Sequence, residues 1–380
     1  MRFKVKQFLI AIAYNVYMRK KHVSIFLMIF IFTVVLNALS WVVPRFSDIY
    51  ALRVFPIITG SLGRLTSIFP FSVGEIMIIA GLLWIAFFII SMFTKIRRVI
   101  FIATLRILVI IFLVMTLNCF INYHTTPLSA GTDPGREYTI EELSAYRDEV
   151  VNKCNELSLL VKRDENNEVI FADGTGDDRD EVIESKAREA VSKLSSRYER
   201  LSGYYVTPKP LFFSGFVSQQ HMQGYYFPFS MEANYNDVMH VLNKPFTMCH
   251  ELAHTKSYIF EDEANFIGYL ACVSSDDIAF NYSGYLGILN YVNNAFYENV
   301  SKDEYLSHVA ISDQVKEDNV FLTEESWEKV EDNALFDTKT VKNAAETFVD
   351  TTLKVNGVGD GKASYNRVVE LLLDEYYGGF

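Results

Sequence analysis

The chain has 380 residues, half of them hydrophobic, and a formal net charge of −11. That charge is unevenly divided: residues 1–124 carry thirteen Lys/Arg against two acids, and residues 125–380 carry twenty-two against forty-four. A uniform soluble globule is excluded, and the acidic larger part, with no basic patch, argues against nucleic acid as a partner.

Three apolar stretches in the basic part are long enough to cross a bilayer. Val23 to Pro44 has no charge over 22 residues, Ile76 to Thr94 has none over 19, and Val99 to Phe120 has only Arg106. Arg106 lies near one end of its stretch, from which a long side chain reaches the headgroups. The first stretch follows a basic segment and has small residues at Ala38-Leu39-Ser40, as a cleaved signal would. Its length and the two later spans fit a retained anchor instead. Basic residues gather before the first span (Arg2, Lys4, Lys6, Arg19, Lys20, Lys21) and between the second and third (Lys95, Arg97, Arg98). The positive-inside rule puts both groups on the cytoplasmic side of the cell membrane and the acidic remainder outside it. The loop from Arg45 to Glu75, with Phe55-Pro56, Gly60, Gly63 and Phe69-Pro70, is then expected on the outer face. It reads as a hairpin or short amphipathic helices lying against lipid.

Residues 125–136 (TTPLSAGTDPGR) read as a linker lifting one domain, residues 137–380, off the membrane. Thr139 with Glu142 predicts a capping box that opens a helix to about Lys162, and a second helix is expected from about Arg179 to Leu201. The alternation from Lys209 to Tyr235, rich in Phe, Tyr and Gly, predicts two or three short strands. Helices follow from about Val241 to Lys256 and from Glu261 to about Val273. The rest is mostly helical in pattern, with a break at Asn356-Gly357-Val358-Gly359-Asp360-Gly361. The fold class is therefore α+β: three transmembrane helices, then a mainly helical domain with a small sheet.

Chemistry concentrates in Cys249-His250-Glu251-Leu252-Ala253-His254, an HExxH motif. Four residues apart on a helix, His250 and His254 can offer imidazole nitrogens to one Zn2+, and Glu251 can take a proton from the water such an ion activates. Two-histidine zinc sites need a third protein ligand. In Glu261-Asp262-Glu263-Ala264-Asn265, Glu261 and Asn265 share a helix face, which makes Glu261 the expected third ligand and Asn265 the amide that orients a ligating histidine. Glu263 points to the other side of that helix and is the fallback. The plainer reading of this acidic run is a helix N-terminus favoured by the dipole.

The ExxxN arrangement after HExxH resembles the Glu-zincin metallopeptidases. The chain is also similar over most of its length to a bacterial membrane family of unassigned function with three N-terminal spans. That likeness rests on Phe69 to Glu75 (FPFSVGE), Tyr226 to Asn236 (YFPFSMEANYN), Pro245-Phe246-Thr247, Glu261 to Cys272 (EDEANFIGYLAC) and Ser364-Tyr365-Asn366-Arg367-Val368-Val369. The resemblance implies a zincin-like ectodomain and, by analogy, cleavage of a peptide or protein substrate. Zincins commonly bind an extended peptide along the edge strand above the metal helix, which gives Tyr225 to Asn236 a functional reading; Glu232 within it reads as structural. Hydrolysis needs an oxyanion donor, for which Tyr365, Arg367 and His308 are candidates beside ordinary packing and ion pairing. His221 and His240 read as surface or core histidines. Cys249 and Cys272 bracket the motif and read either as a disulfide or as two small buried residues; Cys249 faces away from His250 and is not a ligand.

Two functions compete: a membrane-anchored zinc peptidase with Glu251 as general base, and a non-catalytic sensor or assembly protein with a structural metal. A site within the membrane is disfavoured because HExxH lies about 130 residues past the last span.

Overall fold

The computed structural model describes residues 25–131, 136–165, 167–171, 179–356, 358 and 367–378. Three helices are long and apolar enough to cross a membrane: α1 (Ile25–Val42), α2 (Val73–Ser91) and α3 (Arg97–Asn118). Only 6% of the α2 and α3 windows is buried, so Leu82, Leu83, Ile90 and Val99 face outward, as they do when lipid is the solvent. Sparse polar bonds tie the helices together. Asn37 Nδ2 donates to Thr116 Oγ1 at 2.7 Å, and Trp84 Nε1 to Thr104 Oγ1 at 3.2 Å.

Between α1 and α2 the chain makes short helical pieces, Phe46–Arg53, Phe55–Ile58 and Arg64–Thr66, with a π turn at Thr59–Gly63. They are two-faced. Tyr50 and Phe55 pack with Ile121 and Met231, while Ile49, Ile57 and Leu65 are exposed.

The capping box at Thr139 forms, and α4 runs Ile140–Leu160. Helix α5 (Arg179–Lys193) ends earlier than its pattern suggests. It breaks into 3-10 turns through Leu201, where the Ser196 hydroxyl donates to the Lys193 carbonyl at 3.4 Å. Three strands form one mixed sheet in the order β1-β3-β2. Strand β1 (Lys209–Pro210) is parallel to β3 (Glu232–Tyr235), and β2 (Gly224–Phe227) is antiparallel to it, with Gly224 opposite Tyr235 and Phe227 opposite Glu232. A short helix, Ser214–Gln219, separates β1 from β2 where the alternation suggested only strand.

Helix α6 (Lys244–His254) carries Pro245 in its first turn, where the missing N–H costs nothing, and is buried on almost every side. The β2–β3 hairpin, α5, α7 (Glu261–Val273) and α8 (Ile278–Tyr297) surround it. Gly287 on α8 permits the closest of these contacts, since a methyl there would meet the Phe246 ring at 2.4 Å. The C-terminal part is helical, and Asn356 closes Thr338–Val355; most of the predicted Gly-rich break lies outside the described residues.

Residues 125–131 do not bridge a gap between the apolar helices and the rest of the chain. The Thr126 amide and hydroxyl both donate to the Asp48 carboxylate at 2.7 Å, and the Leu128 amide donates to Glu263 Oε1 at 2.6 Å. The domain rests directly on the ends of the apolar helices. Glu232 accepts from the Val73 and Gly74 amides at the start of α2, and Asn118 Nδ2 at the end of α3 donates to Pro228 O at 2.6 Å. Helix ends leave backbone groups unpaired, and the sheet supplies their partners.

Candidate metal centre

After His254 the chain turns sharply. Ser257 adopts a left-handed conformation (φ 70°), a backbone state that costs an L-residue about 1 kcal/mol or more. The Ser257 and Tyr258 amides bond back to His254 and Ala253 carbonyls. This turn returns Glu261, the first residue of α7, to the histidines. His250 Nε2 and His254 Nε2 lie 3.0 Å apart, and Glu261 Oε2 is 3.2 Å from the first and 3.7 Å from the second.

The outer ring nitrogens fix the tautomers. His254 Nδ1 is 2.7 Å from the Tyr258 carbonyl, which can only accept, so Nδ1 carries the proton. His250 Nδ1 is 2.9 Å from Asn265 Oδ1, and the Asn265 amide nitrogen points to the Tyr291 hydroxyl at 3.4 Å. Both Nε2 lone pairs therefore converge on one space together with a carboxylate oxygen, an arrangement that demands a positive charge. Without a metal, a proton shared with Glu261 supplies that charge. Burial would raise the Glu261 pKa, but hydrogen bonds with His250 and His254 hold it well below the carboxylate range. Burial opposes charge on His254, yet its bond to Glu261 outweighs this and lifts its pKa to about 9. The donor set, two imidazoles and a carboxylate, suits Zn2+.

Glu251 faces the same cavity but is not part of this donor set. Its Oε2 has no partner among the described residues, and burial, partly offset by the two histidines, pushes its pKa up to about 7. Gly224 at the start of β2 makes room for it, because a Cβ there would come within 2.6 Å of Glu251 Oε1. Glu263 is on the far side of α7, bonded to Leu128 and 3.9 Å from Arg200, so the structure brings Glu261 and not Glu263 to the histidines.

The oxyanion candidates fare differently. Arg367 Nε pairs with Asp262 at 3.2 Å, and His308 Nδ1 bonds Asp148 at 2.8 Å; neither lines the cavity, and Tyr365 lies outside the described residues. His221 lines the cavity and stacks on Phe321, while His240 is elsewhere. The Cys249 and Cys272 thiols are free and buried, with Sγ atoms 3.9 Å apart. Sequence reasoning missed Tyr291 and Tyr123, which line the cavity from α8 and from the segment after α3. Nothing distinguishes them among 22 tyrosines in the chain.

The cavity measures about 480 Å³ and runs along α6 beneath β2. Cys119 and Tyr123 form part of its wall, so the sequence distance between the last span and HExxH vanishes in the fold. The chain belongs to the family described as Protein of unknown function (DUF3810), whose model matches residues 50–373. No curated protein matches it, and no solved structure does.

Proposed function

We propose that this member of that family is a membrane-anchored zinc metallopeptidase hydrolysing peptide bonds on the outer side of the membrane. The convergence of three metal-donor atoms beside a buried carboxylate with a free oxygen carries the reading. His250, His254 and Glu261 would hold the ion, with Asn265 and the Tyr258 carbonyl orienting the rings. Zinc held there supplies Lewis acidity toward a scissile carbonyl and an attacking water. Glu251, buried beside those ligands with an oxygen that has no partner among the described residues, would accept the water proton and pass it to the leaving amine. The Tyr291 hydroxyl on the same wall is one donor available to a developing oxyanion. Strand β2 is paired on one side only among the described residues, which leaves backbone groups for an extended peptide.

The test is hydrolysis of a peptide library by the full chain at matched zinc occupancy, wild type beside Glu251→Gln. Equal turnover would reject Glu251 as base; no turnover by zinc-loaded wild type would reject the peptidase. Orientation is tested separately, with Asp313→Cys, an exposed position, in a Cys-free chain. The expected result is labelling by an impermeant maleimide on intact cells; labelling only after lysis would reverse the topology.

A further inference from the structure

We propose that the cavity takes a polypeptide anchored in the same bilayer and engages it next to the membrane surface; the substrate class rests on the peptidase reading above. The first observation is how little separates the metal donors from the end of α3. The Tyr226 hydroxyl donates to the carbonyl of Asn118, the last residue of α3, at 3.0 Å, and the Tyr226 ring lies 6.1 Å from that of His254. One side chain spans the interval. On the other flank, the Thr59 hydroxyl donates at 3.1 Å to the carbonyl of Thr255, the residue after His254. These bonds fix the height of the site. The 22 residues of α3 extend about 33 Å, matching a hydrocarbon core of about 30 Å, so Asn118 lies at its outer edge and the histidines at headgroup level.

The second observation is an apolar apron on the same side. Glu75, in the first turn of α2, accepts from the Phe212 and Phe213 amides at 2.9 and 2.8 Å. This holds Phe212, Phe213 and Phe216 exposed beside the start of α2, while Ile57, Leu65 and Ile68 are exposed on the segment between α1 and α2. Side chains of this kind at headgroup depth press a domain onto lipid. The cleft thus starts at the membrane junction, with Cys119, Tyr123 and Pro228, and runs outward to Asn290 and Asn319. A chain emerging from the bilayer meets it within its first residues, whereas a dissolved chain must first reach the headgroup layer.

The experiment uses the full chain with Glu251→Gln in lipid nanodiscs, carrying a photo-crosslinking phenylalanine analogue at Asn319 or, independently, at Met222. The probe is a single-span test protein with an unstructured outer stalk of about 40 residues, reaching about 130 Å when extended, beside the same stalk without its span. Cross-links are expected within about ten to fifteen residues of the span. The anchored stalk should exceed the free one by about tenfold or more. Cross-links spread evenly along the stalk, equal for free and anchored forms, or absent from both would overturn the proposal. Zinc-loaded wild type should cut in the same window. Equal hydrolysis of both stalks anywhere along their length would overturn the substrate class and leave the peptidase standing. Membrane-proximal cross-links without hydrolysis would do the reverse, sustaining the anchored occupant and sinking the peptidase.

Discussion

Two buried carboxylates at opposite ends of the β2–β3 hairpin are treated in opposite ways. Glu232 is saturated: Lys209 Nζ at 2.5 Å, the Val73 and Gly74 amides at 3.0 and 2.7 Å and the Ser230 hydroxyl at 2.6 Å all donate to it. Glu251, at the other end, keeps an oxygen with no partner among the described residues and a pKa raised to about 7. A buried charge met by every donor it can accept is a latch, here joining the sheet to the start of α2. Glu251, left short of donors and facing the cavity beside the histidines, is the one placed to take a proton in the proposed reaction.

The sharpest way to break this contrast is to neutralise each in turn. Glu251→Gln should retain zinc while hydrolysis falls by about 10²- to 10⁴-fold, the usual worth of a general base, because an amide cannot accept the proton. Glu232→Gln should leave the rate per bound zinc unchanged. If instead Glu232→Gln abolished hydrolysis at full zinc occupancy, the division into latch and base would be wrong.

Stability should show the reverse order. Glu232→Ala strands Lys209 and two helix-start amides, and breaking a buried pair of this kind costs about 3–5 kcal/mol, readable as a lower urea midpoint of the detergent-solubilised chain. An unchanged midpoint would mean that the latch contributes nothing.

Glu184 lies between the two extremes. Among the described residues it has one hydrogen-bond donor, the Tyr235 hydroxyl at 3.0 Å, and burial lifts its pKa to about 7 from 4.5. Its folded-state pKa is above its unfolded value, so the folded chain binds the proton more tightly. The resulting penalty is absent below about pH 4.5, grows as pH rises to about 7 and is constant above that. Glu184→Gln keeps the acceptor and removes the charge. It should be more stable than wild type by about 1–2 kcal/mol at pH 8, a figure reduced for solvent screening, and no more stable at pH 4. Unfolding curves at the two pH values check it, and a gain at pH 4 would contradict the sign.

The sequence carried what depends on local periodicity and little of what depends on distant packing. The i, i+4 spacing put His250 and His254 together, the same rule separated Glu261 and Asn265 from Glu263, and the Thr139 capping box is formed as read. The left-handed Ser257 that swings Glu261 back has no local signal, since nothing but the tertiary turn requires it. Arg367 and His308 have the right chemistry for an oxyanion donor, but their partners, Asp262 and Asp148, are 105 and 160 residues away and claim the first for an ion pair and the second for a hydrogen bond. The contact between the α3 end and α6 was hidden for the same reason. A 130-residue interval in sequence says nothing about distance once Tyr226 and Thr59 close it.

The most direct measurement is the metal content of the purified full chain, wild type beside His250→Ala, Glu261→Gln and Glu263→Gln. The account predicts about one zinc per chain in wild type and in Glu263→Gln, and its loss from His250→Ala and Glu261→Gln. A wild type without metal, or zinc that survives Glu261→Gln and is lost from Glu263→Gln, would contradict it.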